Sequence, residues 1–533
     1  MRYFRHLRIG IALLAGVVLL IVFLDFHDLV PPAFKHAVAS VQFVPAVQTA
    51  FVGTLPLVAL LVIIVLTAII GRVYCSTVCP LGLMQDVIHR IAGWVRKLRG
   101  GKKLPRYRPP AHVLRQGILI GTLIVIAAGW AGFAVAWLDP YSQFGRVAGT
   151  LFRPPVMFAN NLITSVLETD VLVRLGANPN AVPRVAIPWQ GIIAIIPPLL
   201  IFSVIAVMSA RHGRLYCNAI CPVGTLLGWF SRKALLRISI DKSSCARCGD
   251  CQRECKAQCI DLRTQEVDMS RCVACFNCVS VCDEKGIRPN FLGRAKPTGK
   301  RPSRPSAPRK QGRMRMTRRA FVSSAGGAAT AGLAGWLGSR MQMDATAVAP
   351  PGAQSRAHFT SRCTGCQLCV SACPTDVLQP SSFQYGGLSG LMKPHMDFTQ
   401  GFCIEKCIVC GEVCPDAAIH PFTVERKKTT RIGIAELTIS RCIVRTDGTA
   451  CGACAEHCPT AALQFVKGPG KFEEPSINTE HCIGCGGCQY ACPAQPVRAI
   501  IVRGLEAHET AAELKQEKAP DPTAGKASDG FVF

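Results

Sequence analysis

The chain has 533 residues, 29 cysteines and a formal net charge of +27. Apolar residues make up 49% and charged residues 17%, and mean hydropathy is positive, which excludes a disordered chain and argues against a wholly soluble one. The cysteines fall in tight runs parted by long cysteine-free stretches, so they read as ligand sets and not as the disulfide staples of a small secreted domain.

Long uncharged apolar runs come first. A spanning helix needs about 20 such residues. Four stretches approach or exceed that length: Ile9–Leu24, Phe51–Gly71, Gln116–Leu138 and Val185–Ala210. A buried core helix is the rival reading of any one run, and the lengths favour spans. The first run also invites a signal-peptide reading, but Ala37-Val38-Ala39, the one small-residue cleavage pattern, lies far from it. The N-terminus carries Arg2, Arg5 and Arg8, and the loop from Arg72 to Arg115 is strongly basic with Asp86 as its single acid. Basic loops stay cytoplasmic. The N-terminus and residues 213–319 are therefore predicted on the cytoplasmic side of a bacterial inner membrane. The +27 charge then becomes a topology signal. No nucleic-acid partner is expected, because neither base-stacking aromatics nor a reading motif accompanies the charge.

Spans two and four end alike. The first reads Gly71-Arg72-Val73-Tyr74-Cys75-Ser76-Thr77-Val78-Cys79-Pro80, the second Gly213-Arg214-Leu215-Tyr216-Cys217-Asn218-Ala219-Ile220-Cys221-Pro222. Both follow an outside-to-inside span, so both Cys-x3-Cys-Pro pairs reach one membrane face. Pseudo-symmetry can bring Cys75, Cys79, Cys217 and Cys221 together, a set that suits an iron–sulfur or other soft-metal site. Four small buried residues at helix ends is the plainer reading, but it does not explain a matched pair.

Six further motifs follow. Cys245, Cys248, Cys251 and Cys255 have the spacing C-x2-C-x2-C-x3-C, and Cys272, Cys275, Cys278 and Cys282 repeat it. In the two-cluster ferredoxin pattern the fourth cysteine of each run ligates the other run's 4Fe-4S cluster. A structural zinc site would take two ligands from each of two knuckles, not three in one loop. Lys256 and Asp283 stand where a proline usually follows the last cysteine, and Cys259 is a spare thiol that could substitute for Cys255. Beyond a basic, proline-bearing linker lies Thr317-Arg318-Arg319-Ala320-Phe321-Val322, a twin-arginine pattern ahead of the mildly apolar 320–339 stretch. Four more runs come next: Cys363, Cys366, Cys369 and Cys373; Cys403, Cys407, Cys410 and Cys414; Cys442, Cys451, Cys454 and Cys458; Cys482, Cys485, Cys488 and Cys492. Each ends in Cys-Pro, the second has x3 at its first gap and the third a gap of eight. With the four cysteines of the repeat and Cys259, these runs account for all 29.

The predicted fold is thus an α-helical membrane domain joined to α+β bacterial-ferredoxin-like 4Fe-4S domains. The divisions are a four-span domain over 1–212, a cytoplasmic two-cluster ferredoxin over 213–290, and the basic linker 291–319. A fifth span or export helix over 320–339, a periplasmic four-cluster ferredoxin over 355–505 and a disordered tail over 506–533 follow.

Residues 1 to about 290 resemble a NapH-type membrane ferredoxin in their four spans, paired Cys-x3-Cys-Pro motifs and two-cluster tail. Residues from about 314 on resemble a NapG-type periplasmic polyferredoxin with a twin-arginine leader and four cluster motifs. The resemblance implies about six 4Fe-4S clusters, oxidation of quinol from the membrane pool, and a periplasmic reductase or cytochrome acceptor. Related membrane ferredoxins with the Cys-x3-Cys-Pro motif are also associated with metalloenzyme assembly, in which case the four repeat cysteines would handle or reduce copper. A purely structural anchor is the third reading. No haem-attachment, Rossmann or metalloprotease motif is present, so the sequence holds electron carriers without a substrate-converting centre. Asp25, His27, Asp28 and Asp139 lie near the expected outer face, either as proton acceptors for quinol oxidation or as markers of span ends.

Overall fold

The computed structural model describes residues 2–100, 107–167, 183–187, 192–284, 286–291, 347–387 and 390–512. The linker beyond Phe291, the twin-arginine motif, the 320–339 helix and the chain from 513 lie outside them.

An uncharged apolar run from Ile9 to Leu24, preceded by an arginine-bearing first two turns, makes α1 (Arg2–Leu24), which stops at Asp25. Two short helices follow, α2 (Pro32–Ser40) and α3 (Phe43–Thr49). The buried Lys35 of α2 pairs with Asp25 at 2.9 Å and lies 3.7 Å from Asp28, tying the C-terminal end of α1 to α2. Then come α4 (Thr54–Ile70), α5 (Tyr74–Thr77) and α6 (Pro80–Leu98). Gly71 ends α4 with φ +99°, a backbone shape open to glycine. The third expected span is not one plain helix. It runs as α7 (His112–Val125), a π turn over Ile126–Trp130, and α8 (Ala131–Leu138). Asp139 then breaks the run. Its carboxylate accepts from the Tyr141 and Ser142 amides and caps α9 (Pro140–Val147), with Pro140 in the favoured first position. Every residue of α9 is buried. A second π turn leads into α10 (Arg153–Leu167), and α11 (Ile192–His212) closes the helical domain. Among the described residues two helices, Tyr3–Leu24 and Ala194–His212, are long and apolar enough to cross a membrane; Thr54–Ile70 and His112–Ala128 are apolar but shorter.

The cysteine-rich parts are built from two-stranded antiparallel ribbons. In the first unit β1 (Leu236–Ile240) pairs with β4 (Ile287–Phe291), and β2 (Ile260–Asp261) with β3 (Glu266–Val267). In the second, β5 (Leu378–Pro380) pairs with β6 (Pro394–Met396), β8 (Leu463–Val466) with β9 (Glu474–Ile477), and β7 (Thr430–Leu437) with β10 (Ile500–Thr510).

The two units sit at opposite ends of α1. At its start Arg5 donates to the Ser280 hydroxyl at 3.1 Å, and Phe4 meets Phe276. At its end Phe23 packs on Tyr141 and Phe144, beside the Cys366 loop of the second unit. Gly145 sits there because a Cβ would collide with the Cys366 carbonyl and the Phe23 ring. From Arg8 to Phe23 the helix rises about 22 Å.

One boundary differs from the sequence reading. Strand β10 continues through Thr510, into the segment expected as tail from Glu506. The charged, Ala-rich sequence there does not encode a strand; the free edge of β7 supplies one, and the His508 amide donates to the Gln354 carbonyl. Both ring nitrogens of His508 are buried without partners, and burial pushes its pKa down to about 4. An unfolded histidine takes its proton at about pH 6.5. Stability from a neutral His508 is therefore complete above that value and falls as pH drops towards 4. Amide-exchange protection along β10 should decline over that window, and His508→Leu should abolish the decline.

Candidate functional site

The first unit gathers two thiol sets. Cys251 has Cys245, Cys248 and Cys282 as its thiol neighbours. Cys255, Cys272, Cys275 and Cys278 surround a cavity of about 300 Å³. The fourth cysteine of each run thus turns away from its own run. Cys259 lines the second cavity too, its Sγ 3.6 Å from that of Cys255, so five thiols share this space.

The second unit gathers four sets and pairs its motifs in chain order. Cys414 joins Cys363, Cys366 and Cys369. Cys373 joins Cys403, Cys407 and Cys410 around about 340 Å³. Cys458 joins Cys482, Cys485 and Cys488 around about 340 Å³, and Cys492 joins Cys442, Cys451 and Cys454 around about 350 Å³. A 2.9 Å bond from the Cys403 amide to the Cys485 carbonyl places the second pair directly against the first.

The backbone explains why regular spacing makes a cradle. In four runs the second and fourth residues after the first cysteine are left-handed: Arg247 and Gly249, Ala274 and Phe276, Gly365 and Gln367, Gly484 and Gly486. Such alternation points successive N–H groups inward, a nest that binds an anionic cluster. The two runs with altered first gaps lack this pattern among the described residues. Buried cations add to the cradles. Arg146 of α9 donates to the Thr364 and Gly365 carbonyls at 2.8 and 3.0 Å. Lys427 lines the Cys403 cavity and donates to the Ile404 and Cys407 carbonyls. Lys393 lies by Cys363, its pKa pushed down to about 8 by burial. These cations were not singled out from the sequence; each is remote from the motif it serves.

The repeat cysteines Cys75, Cys79, Cys217 and Cys221 are all buried and converge on one another. Cys79 caps α6, and Cys221 caps a matching helix, Pro222–Ser231. The two halves clasp reciprocally. Arg72 of the first half donates to the Gly224 carbonyl at 2.8 Å and to the Asn218 side chain of the second. Arg214 of the second half donates to the Cys75 carbonyl of the first. Both arginines are fully buried. The repeat had displayed them as Gly71-Arg72 and Gly213-Arg214, a signal the cysteines overshadowed.

Among the described residues no three His, Cys, Asp or Glu donors close on a single ion. Thiolates sharing one zinc lie about 2.3 Å from it and crowd together, whereas a cluster offers a separate iron to each sulfur. Three cysteines from one run with a fourth from its neighbour are the ligand pattern of a 4Fe-4S cluster.

Asp86 fastens the first unit to the helical domain. It takes both Arg214 nitrogens at 2.7 Å and the Lys256 ammonium, with Arg8 at 3.9 Å. Burial works against its charge, yet Arg214 and Lys256 hold its carboxyl well below the usual carboxylate range. Lys256, the departure from the proline pattern, is thus a docking residue. The outer-face candidates have structural partners: Asp25 holds Lys35 and the Leu29 and Val30 amides, Asp139 caps α9, and His27 meets Asn160 at 3.2 Å.

Comparison with known proteins agrees in chemistry. A 4Fe-4S binding domain model matches residues 52–102 and 195–242, the two halves that carry the repeat. Two 4Fe-4S dicluster domain models match residues 449–495 and 268–377. The chain is similar to the ferredoxin-type protein NapG of Escherichia coli, 32% identical over 38% of this chain and 90% of the relative. It is 31% identical to the methylamine utilization ferredoxin-type protein MauM of Methylophilus methylotrophus, over 29% of this chain and 70% of the relative. To the ferredoxin-type protein NapF of Escherichia coli it is 28% identical, over 33% and 95%. No solved structure matches.

Two outcomes are expected. Asp86→Asn strands three cations and should cost about 3 kcal/mol, read by denaturant unfolding, with exchange rising first in residues 245–282. The wild-type carboxylate's contribution should persist from neutral pH down to about 4 and fade below, as protonation begins to favour the unfolded chain. The motif pairing has its own test. Cys373→Ser with Cys407→Ser should lose the iron of one cluster, about four atoms. Cys373→Ser with Cys366→Ser should lose about twice that.

Proposed function

Since this chain belongs to the ferredoxin-type 4Fe-4S proteins of the NapG and MauM kind, we propose that it is a membrane-anchored electron-transfer protein drawing on quinol. In this reading it oxidises quinol from the membrane pool and delivers electrons to a periplasmic reductase or cytochrome. It lies in a bacterial inner membrane, with the first cysteine-rich unit cytoplasmic and the second periplasmic. Six thiol sets would each hold one 4Fe-4S cluster, and bound clusters supply one-electron transfer. Each quinol yields two electrons and two protons, so a set of one-electron carriers suits it.

One observation carries the reading: the two units stand at opposite ends of α1, separated by a helix long enough to cross a bilayer. Exposed apolar side chains along the helices between them, such as Leu14, Leu61, Ile124, Phe158 and Leu200, make a belt that suits lipid better than water.

Anaerobically purified protein in liposomes should bleach in the visible when given a reduced menaquinol analogue. Dithionite-bleachable protein that quinol leaves unchanged, and that carries bound copper, would sink this reading in favour of metal handling.

A further inference from the structure

In four of the six runs the third residue after the last cysteine is left-handed: Gln258, Asp376, Ala417 and Ala461, with φ of 53°, 51°, 51° and 47°. That turn brings the next residue back towards the thiols. In three runs it is apolar and buried: Val377, Ala418 and Ala462. Val377 and Ala462 line the cavities of their sets. In the first unit the same position is Cys259, which is buried as deeply and lines the cavity that Cys255, Cys272, Cys275 and Cys278 surround. Alanine fills this place in two other runs, so packing alone does not call for a thiol.

The surroundings of the fourth cysteine differ as well. Cys373 and Cys458 each have a threonine hydroxyl from two residues on, Thr375 and Thr460, 3.7 Å from the sulfur. The residue two on from Cys255 is Ala257, which has no side-chain donor. Its place beside the sulfur is taken by the Cys259 Sγ at 3.6 Å. A hydroxyl there can donate to a ligating sulfur. A thiol can do more, because once deprotonated it is itself the soft ligand that iron–sulfur clusters take. Metal–thiolate bonds are about 2.3 Å long, so sulfurs 3.6 Å apart lie within reach of one iron. The two thiols also hang from different supports. Cys255 is half-buried and adjoins Lys256, which Asp86 and the Arg214 amide fasten to the helical domain. Cys259 is held within the unit, its carbonyl accepting from the Asp268 amide at 2.9 Å.

We propose that Cys259 is an exchange ligand for Cys255 at one iron of the cluster in this cavity. While Cys255 ligates, the Cys259 thiol donates a hydrogen bond to its sulfur. In the exchange Cys259 passes that proton to the Cys255 sulfur and takes the iron that Cys255 releases. One iron–sulfur bond breaks, one forms, and no electron moves. The cavity thus keeps four ligands whichever of the two thiols serves. This rests on the reading that the cavity holds a 4Fe-4S cluster, but it does not depend on quinol being the donor.

The test uses anaerobically purified full-length protein, with iron and acid-labile sulfide counted and EPR spectra taken after reduction. Cys275→Ala sets the scale and should lose about four iron and four sulfide. If it loses none, the cavity holds no cluster, and the underlying reading falls together with the exchange. Cys255→Ala should keep its iron while one EPR signal changes, and Cys255→Ala with Cys259→Ala should lose about four iron. A loss in Cys255→Ala as large as that in Cys275→Ala, with the Cys275 result standing, would overturn the exchange alone. So would a Cys255→Ala spectrum identical to that of the wild type. Should Cys255→Ala not fold, Cys259→Ala decides by potentiometric titration, since it restores the alanine that other runs carry here. Hydrogen bonds to the sulfurs help to set a cluster's potential, so one midpoint should fall in Cys259→Ala and return in Cys259→Ser, which keeps a donor. Midpoints all equal to those of the wild type would refute the contact on which the exchange depends.

Discussion

The structure turns on the reciprocal clasp of Arg72 and Arg214. Each guanidinium leaves its own half of the repeat and bonds the other, Arg72 to the Gly224 carbonyl and the Asn218 side chain, Arg214 to the Cys75 carbonyl and the Asp86 carboxylate. A buried charge tolerates little displacement, because losing a partner leaves an uncompensated ion in a poorly screened interior. The clasp therefore fixes the distance between the ends of α4 and α11, and with it the meeting of the four repeat thiols. The same two arginines also reach the first ferredoxin unit, so one feature sets both the tetrad and the seat of that unit.

Cross-strapping recurs in the ferredoxin units. A run of four cysteines could close on itself, but three in a tight loop already cover one side of a cluster, and the fourth leaves on the helix that follows. Exchanging fourth ligands makes each pair of motifs cooperative, since neither set is complete without its neighbour. The nests of left-handed residues are costly in an isolated chain. They persist where a bound anion and packing on both sides hold them. The buried Lys427, Lys393 and Arg146 counter the negative charge that clusters bring, and net charge is among the features that set a cluster's potential. Arg146 also couples the cradle of Cys363, Cys366 and Cys369 to α9, so the second unit is gripped by the helical domain through the loop that carries its first set.

The broken helix at Asp139 serves the same arrangement. A continuous helix would carry the chain past the second unit. The capped break and two π turns keep α9 buried between the helices, where Tyr141, Phe144 and Gly145 contact the Cys366 loop.

What the sequence determined by itself was the chemistry and the inventory: six ferredoxin runs, a doubled Cys-x3-Cys-Pro motif, and apolar stretches whose flanking charges set an expected topology. These are local signals, carried by spacing, periodicity and composition. Cys245 to Cys255 declare themselves within eleven positions, and the apolar body of α1 within the uncharged run Ile9–Leu24. Only the tertiary structure decided which of the four later runs exchange their fourth cysteines, that Lys256 docks on Asp86, that Arg72 and Arg214 cross over, and that β10 outruns Glu506. Each of these joins residues remote in the chain. Their partners are chosen by burial of charge and by free backbone edges, which exist only once the helices and ribbons have packed.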